Sequence, residues 1–488
     1  MPNNYPKIFK HKLYRIGIPI GILSLLPFLC LSFYNHPLGI HEWDWISNWH
    51  GINTGTSFWQ EQIHWYRTNT GRFFSTAILS FTDWWYSLRL FQSVFAFNIL
   101  LILGLSYLLA LEFWPSLKWQ WKLNIAILVV SLYLYQSAGI YDTFFSYSSV
   151  LTYSLGLWFT LISVILLNKA MMLRKSKTWV IGGLYLCTVA TIGANEISLI
   201  TINLIVGFIF FLRLYRRQTI PSWYSFFLLL IVATDLLALA APGNYHRMDL
   251  YGNQPDILTT FFWVLASSFW LWVDWLGDGL LLLFILLWFP LGWQCRKQKN
   301  TLFDNSLIWF LSTVLIVPIA LFPVLLGTFN TSLPERVVDL LFFTICWTSL
   351  GFCQSILNKY NLEKNFSFYN QPTWIIIAFF FTAQLFFSGI RINREKQESS
   401  DKWDLISVQS NIGKAYKALL DQSASRYDQA MRLQYNELST CRESICKVKA
   451  PIDPPSALYE ALPDRRIQKG DPFMGSFFRK GIKLVIYE

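Results

Sequence analysis

Charge is what this sequence has least of: Lys, Arg, Asp and Glu make up only 14% of its 488 residues, far below the roughly one quarter expected of a soluble protein. Its length is therefore no count of soluble domains. The signatures of soluble enzymes are missing too. There is no phosphate loop with its lysine, no HExxH, no GxSxG and no dinucleotide fingerprint in a βαβ setting. An alternating β-barrel pattern is absent. A net charge of +11 would suit nucleic acid if it formed one patch, but the basic residues stand in short clusters between apolar runs, which excludes that partner. No small-residue cleavage site follows the apolar run 16–33, although Lys7, Lys10, Lys12 and Arg15 precede it as in a secretory signal. The run is read as a helix.

Hydrophobic residues fill 54% of the chain and aromatics 18%, a composition for lipid contact with Trp and Tyr at the interfaces. Runs long enough to cross about 30 Å of hydrocarbon lie near 14–34, 88–113, 123–140, 148–168, 179–195, 197–212, 222–241, 277–294, 307–327, 337–357 and 373–390. In lipid such runs satisfy their backbone only as helices. The fold class expected is an all-α polytopic membrane protein with about eleven transmembrane helices.

Every second connection is basic, through Lys118 and Lys122, Lys169 to Lys177, Arg213 to Arg217, Arg296 to Lys299, and Lys359 with Lys364. The positive-inside rule puts these and the N-terminus in the cytoplasm. Residues 35–87 and 391–488 are then external. The segment 257–275 is apolar enough to span, yet a crossing there would put Arg296–Lys299 outside. An interfacial or re-entrant helix is expected, with Trp263, Trp270, Trp272 and Trp275 at headgroup level.

Two domains follow: a transmembrane domain over 1–390 and an external C-terminal domain over 391–488. Within the first external loop, two short surface helices are expected at 56–68 and 71–84. The tail reads as a small α+β appendage, helical near 401–434, turn-rich at PIDPP and strand-forming at KLVIYE, which leans on the external loops. Five cysteines, Cys30, Cys187, Cys295, Cys346 and Cys353, lie in or beside apolar runs as packing residues. Cys441 and Cys446 in CRESIC form a candidate disulfide in an oxidising compartment.

The polar residues of the external side are few enough to name. Glu42 and Asp44 in HEWDW follow the first span with their carboxylates aimed alike if extended. They suit a general base, or a Mg or Mn ion steadying a departing phosphate, or simply two solvated acids. Arg72 in NTGRFF opens the second surface helix, where its fork could hold a phosphate or snorkel at the interface. Glu196 in GANEIS sits in a tight external turn, either as a functional acid or as a helix-start residue. APGNYHR ends a span with Pro-Gly punctuation and presents Asn244, His246 and Arg247, which could grip sugar or phosphate or cap an ordinary loop. Arg336 in LPERV opposes the helix dipole unless an anion lies nearby. Asp235, deeper in IVATDLLAL, is expected to bond a neighbouring helix.

An acidic motif in the first loop, then GRF, an external acid, PGNxxR and PER resembles a family of bacterial multi-span proteins related to the GT-C superfamily of polyprenyl-phosphate-sugar-dependent glycosyltransferases. The similarity runs from the first helix to about residue 340. The resemblance implies inverting transfer of a sugar from a polyprenyl-phosphate-linked donor to an envelope glycan, lipid or protein acceptor, outside a bacterial inner membrane. It implies Asp44 as base with Glu42 supporting it, Arg72, Arg247 and Arg336 as phosphate ligands, and Glu196 and Asn244 as polar lining, with His246 beside them. One departure stands out: the acids are split by Trp43, which puts in question which one is the base. A lipid-linked glycan polymerase or ligase is the alternative enzyme, and a lipid or glycan transporter, or an envelope scaffold, the alternative without chemistry.

Overall fold

The computed structural model describes residues 14–37, 57–80, 87–172, 178–250, 256–295, 303, 305–328, 333–359, 371–397, 400–441, 445–449, 455, 458 and 483–487. The chain is a helical membrane protein. Among the described residues, seven helices are long and apolar enough to cross a bilayer, over Leu88–Phe113, Tyr147–Met171, Glu196–Tyr215, Ser222–Asp249, Ile257–Gly277, Ser306–Gly327 and Glu335–Lys359. Shorter apolar helices occupy Gly17–Ser32, Thr178–Ile192, Leu280–Trp293 and Ile375–Phe386.

In chain order the helices are α1 (Tyr14–Ser32), α2 (Phe58–Thr68), α3 (Phe73–Ser80), α4 (Leu88–Phe113) and α5 (Trp119–Gln136). Two π-helical turns, Tyr141–Phe145 and Val150–Ser154, lead into α6 (Leu155–Met172). Then come α7 (Thr178–Ile192), α8 (Glu196–Tyr215), α9 (Ser222–Leu239), α10 (Pro242–Leu250), α11 (Ile257–Gly277), α12 (Leu280–Cys295), α13 (Ser306–Thr328), α14 (Glu335–Lys359) and α15 (Gln371–Phe386). The tail contributes an antiparallel hairpin, β1 (Ser388–Gln397) and β2 (Ser400–Gln409), then α16 (Asn411–Leu420), α17 (Ser423–Thr440) and a parallel pair, β3 (Ile445–Lys449) and β4 (Lys483–Tyr487).

Helix α5 is the most enclosed of these, with residues from Trp121 to Gln136 buried almost throughout. It carries Lys122, Asn124 and Gln136 because protein rather than lipid surrounds it. Small residues bring α1 against it: a Cβ on Gly21 would fall 1.6 Å from the Ile127 side chain, and the Ser24 and Ser131 hydroxyls bond across the contact. Close approach through small residues, with a hydroxyl pair as glue, is how helices associate where lipid removes the hydrophobic drive.

One end of the bundle collects the polar groups. Asn35 Nδ2 donates to the Phe145 carbonyl at 2.7 Å, and Gln92 Nε2 donates to the Asn35 carbonyl at 3.1 Å. Buried Asp339, near the start of α14, accepts from Ser137 Oγ and Thr143 Oγ1, each at 2.5 Å, and from the Ala138 amide at 2.7 Å. The end of α11 lies here too, because Asp278 Oδ1 accepts from Tyr135 Oη at 3.0 Å and from Gln384 Nε2 at 2.8 Å. Gly279, at φ +77°, then turns the chain directly into α12. Only glycine adopts that angle without strain.

The tail departs from the helix expected over 401–434. Residues 400–409 form β2 instead, and Gln422, at φ 61°, separates α16 from α17. Alternation at period two in KWDL is the strand signal that outweighed helix propensity there. Nor do these helices lean on loops alone. Asn411 Nδ2 caps the end of α5 by donating to the carbonyls of Leu134, Tyr135 and Ser137, at 3.0, 3.2 and 2.8 Å. Tyr416 Oη donates to the Leu23 carbonyl in α1 at 2.6 Å.

His36, just past α1, fastens α17. Its side chain is 0% exposed, with Nε2 2.8 Å from Asp428 Oδ1 and Nδ1 3.2 Å from Tyr435 Oη. The Tyr427 and Tyr435 rings flank it at 5.6 and 5.5 Å. Burial, opposed by the bond to Asp428, holds the imidazole below its ordinary value of 6.5. Burial works against the Asp428 charge, but bonds from His36 and Arg432 outweigh it and keep that carboxyl below its ordinary value. A histidine lowered in the folded state is protonated first in the unfolded one, so its contribution is intact above 6.5 and is lost as pH falls through the lowered value. The protection of amides over residues 423–440, taken relative to their intrinsic exchange rate at each pH, is expected to fall as pH drops below 6.5, and His36→Gln to remove that step. Protection with the same pH profile in both proteins would contradict this.

Candidate functional site

The site begins with backbone packing. Residues 69–76 thread between the end of α9 and the turn joining α7 to α8. A Cβ on Gly71 would lie 1.9 Å from the Ala238 carbonyl oxygen, and one on Gly243 would lie 2.4 Å from the Asn69 amide nitrogen. Both contacts are to backbone, which cannot swing aside as a flexible side chain would. The Gly71 amide donates to Asn244 Oδ1 at 3.0 Å, and Asn244 Nδ2 donates to the Ala238 carbonyl at 2.9 Å. Asn244 thus ties α9 and α10 to the strand of chain that carries Arg72.

Glu196 is the first residue of α8, where the helix dipole favours a carboxylate. Its N-cap, Asn195, accepts from the Ser198 amide at 2.9 Å and donates to the Thr152 carbonyl at 2.8 Å. Arg72 reaches the Glu196 carboxylate with Nη2 at 2.8 Å and with Nε at 3.0 and 3.1 Å, while Arg247 Nη2 lies 3.3 Å from the other side.

Tyr153, from the second π-helical turn, stands under two of the arginines. Arg72 Nη2 donates to its hydroxyl at 3.3 Å, and the Arg336 guanidinium carbon lies 5.0 Å from its ring centre. Arg336 Nη1 also donates to Ser149 Oγ at 3.4 Å. Burial works against the Arg72 charge, but Glu196 and Tyr153 offset this and raise its pKa. The groups in contact are therefore three guanidiniums, one phenol and one carboxylate, a cluster with positive charge to spare. Arg247 Nε, Arg336 Nε and Thr70 Oγ1 are buried without a hydrogen-bond partner among the described residues. Unspent donors beside a cluster with excess positive charge suit an oxyanion such as phosphate.

A cavity of about 1370 Å³ opens beside the cluster at Ile197 and Ser198 and follows α8 to Arg216 and Gln218. Leu161, Leu204, Phe208, Leu315 and Phe343 make its walls apolar. Nineteen helical rises separate Ile197 from Arg216, about 29 Å, close to the thickness of the hydrocarbon core. About a third of the way along, Asn203 Nδ2 donates to Asp235 Oδ1 at 3.0 Å, the interhelical bond expected of Asp235.

Sequence residues Arg72, Glu196, Asn244, Arg247 and Arg336 therefore meet in space. His246 does not join them: it is exposed and lines a separate pocket with Arg67 and Asp249. Glu42 and Asp44 lie outside the described residues. Among the described residues no three His, Cys, Asp or Glu side chains are grouped to hold a metal ion. Cys441 is disulfide-bonded, whereas Cys30, Cys187, Cys295, Cys346 and Cys353 are free; the Cys446 side chain lies outside the described ones. Sequence reasoning passed over Tyr153, Ser149 and Asn195. The available signal was the polar run YSSVLTYS at 147–154, unusual at the start of an apolar helix. The chain matches no protein-family model, no curated protein and no solved structure.

Proposed function

We propose that the chain is a membrane glycosyltransferase that takes its sugar from a polyprenyl-phosphate donor on the extracytoplasmic face. The observation that carries this reading is the three-arginine cluster around Glu196, next in the chain to Ile197, where a long apolar cavity that follows α8 begins. An oxyanion at one end of a long hydrocarbon chain is the ligand such a pair of features complements. Eleven helices cross in this reading, α5 among them. Helix α11 lies along the surface, since α10 before it and the α11–α12 turn after it are both tied to the polar end. The positive-inside rule puts that end outside, together with the 391–488 domain.

In the reaction proposed, an acceptor hydroxyl oxygen attacks the anomeric carbon as the bond from that carbon to the phosphate oxygen breaks. The electron pair leaves on the lipid phosphate, where Arg72, Arg247 and Arg336 stabilise the added charge. The hydroxyl proton passes to a first-loop carboxylate, Asp44 with Glu42 beside it. The Asn203–Asp235 pair inside the cavity favours a second reading, a lipid or glycan transporter, because intramembrane ionisable groups mark transport paths.

Filling the cavity tests the first reading. Leu204→Trp is expected to fold and to lose binding of a long-chain polyprenyl phosphate in native mass spectrometry. Undiminished binding of the long-chain lipid would remove the cavity from the account.

A further inference from the structure

A second pocket, of about 520 Å³, lies between the end of α2 and α10, lined by Arg67, Thr68, Tyr245, His246 and Asp249 with Ala240 and Pro242 at its edge. Helix α10 presents one face to each site. Asn244 and Arg247 reach the arginine cluster, while Tyr245, His246 and Asp249 line the pocket. The two sites are thus about one helix diameter apart, roughly 10 Å.

Arg67, His246 and Asp249 make no hydrogen bond or ion pair among the described residues. A cation, an anion and an imidazole share one concavity without satisfying one another. The pocket offers donors and acceptors in balance, unlike the arginine cluster with its excess of donors. Tyr245, 58% exposed, adds an aromatic ring with a free face. Balanced charge disfavours a phosphate or an ammonium ligand. It suits a ring that carries several hydroxyls, each both donor and acceptor, with an apolar face to set on an aromatic.

We propose that this pocket binds a neutral, hydroxyl-rich glycan. That the glycan serves as the acceptor rests on the glycosyl-transfer reading; the binding itself does not.

The test uses the full-length chain in detergent on an array of immobilised neutral oligosaccharides of glucose, galactose and N-acetylglucosamine, with sulfated counterparts alongside. Wild type is expected to bind neutral chains over sulfated ones. Tyr245→Ala and Asp249→Asn, both surface changes, are expected to weaken that binding by about tenfold, the loss of one good polar or stacking contact. Arg72→Ala is expected to lose polyprenyl-phosphate binding and keep the glycan. No neutral-glycan binding, a preference for sulfated chains, unchanged binding in the pocket variants, or equal loss in Arg72→Ala would each overturn the proposal. A wild type that binds glycan through the pocket but no polyprenyl phosphate would sink the transferase reading and leave the glycan site standing.

Discussion

Replacing Asp44 by asparagine is expected to cut glycosyl transfer by about 10²–10⁴-fold, the usual contribution of a positioned general base, while insertion and fold are kept. Asparagine preserves the shape of the side chain and one hydrogen-bonding oxygen, but cannot take the acceptor proton. The split spacing of Glu42 and Asp44 makes Glu42→Gln the informative partner. If Asp44 is the base, Glu42→Gln retains far more turnover. The chain that carries both acids leaves a firmly held point, because Asn35 is bound to Phe145 and Gln92 and His36 to Asp428. Single-turnover transfer from a labelled lipid-linked donor is the measurement, and near-normal turnover in Asp44→Asn rules the assignment out. Full cellular function in Asp44→Ala would point to a scaffold instead.

Glu196→Gln is expected to destabilise the protein by about 3 kcal/mol, the low end for removing one partner of a buried ion pair. The side chains of Arg72 and Glu196 are 21% and 29% exposed, so solvent screens part of the loss. With the carboxylate gone, three guanidiniums face one phenol and repel one another. An anion then has more to offer than in the wild type. Polyprenyl phosphate is expected to raise the melting temperature of Glu196→Gln more than that of the wild type, since a ligand stabilises in proportion to its affinity for the folded state. A smaller rise in the variant would mean that Glu196 itself touches the ligand favourably and that the cluster is no phosphate site.

Much of this architecture could be read from hydropathy. Each of the eleven apolar runs falls on a helix of the structure, because a long apolar run in lipid leaves the backbone few alternatives. Read from the residues alone, Arg72, Glu196, Arg247 and Arg336 share only a side of the membrane; it is the family resemblance that implies one phosphate site for them. Their contacts depend on glycines such as Gly71 and Gly243, whose value lies in backbone approach that no periodicity reveals. Tyr153 escaped notice because a tyrosine in an apolar run looks like ordinary packing until a π-helical turn aims it at two arginines. His246 shows the opposite failure: adjacency to Arg247 suggested a shared role, yet neighbours on a helix point about 100° apart, and the two side chains serve different concavities. In the tail, the docking of Asn411 on α5 and of Asp428 on His36 spans hundreds of residues, a separation at which sequence patterns carry no pairing information.

The most direct test of the phosphate-and-chain site compares two lipids that differ in one group, a polyprenyl phosphate and the matching polyprenol, by native mass spectrometry of the purified wild type, Arg72→Ala and Arg336→Ala. The wild type is expected to hold the phosphate far more tightly than the alcohol, and both variants to lose most of that preference. Equal retention of the two lipids by the wild type, or a phosphate preference unchanged in both variants, would contradict this expectation.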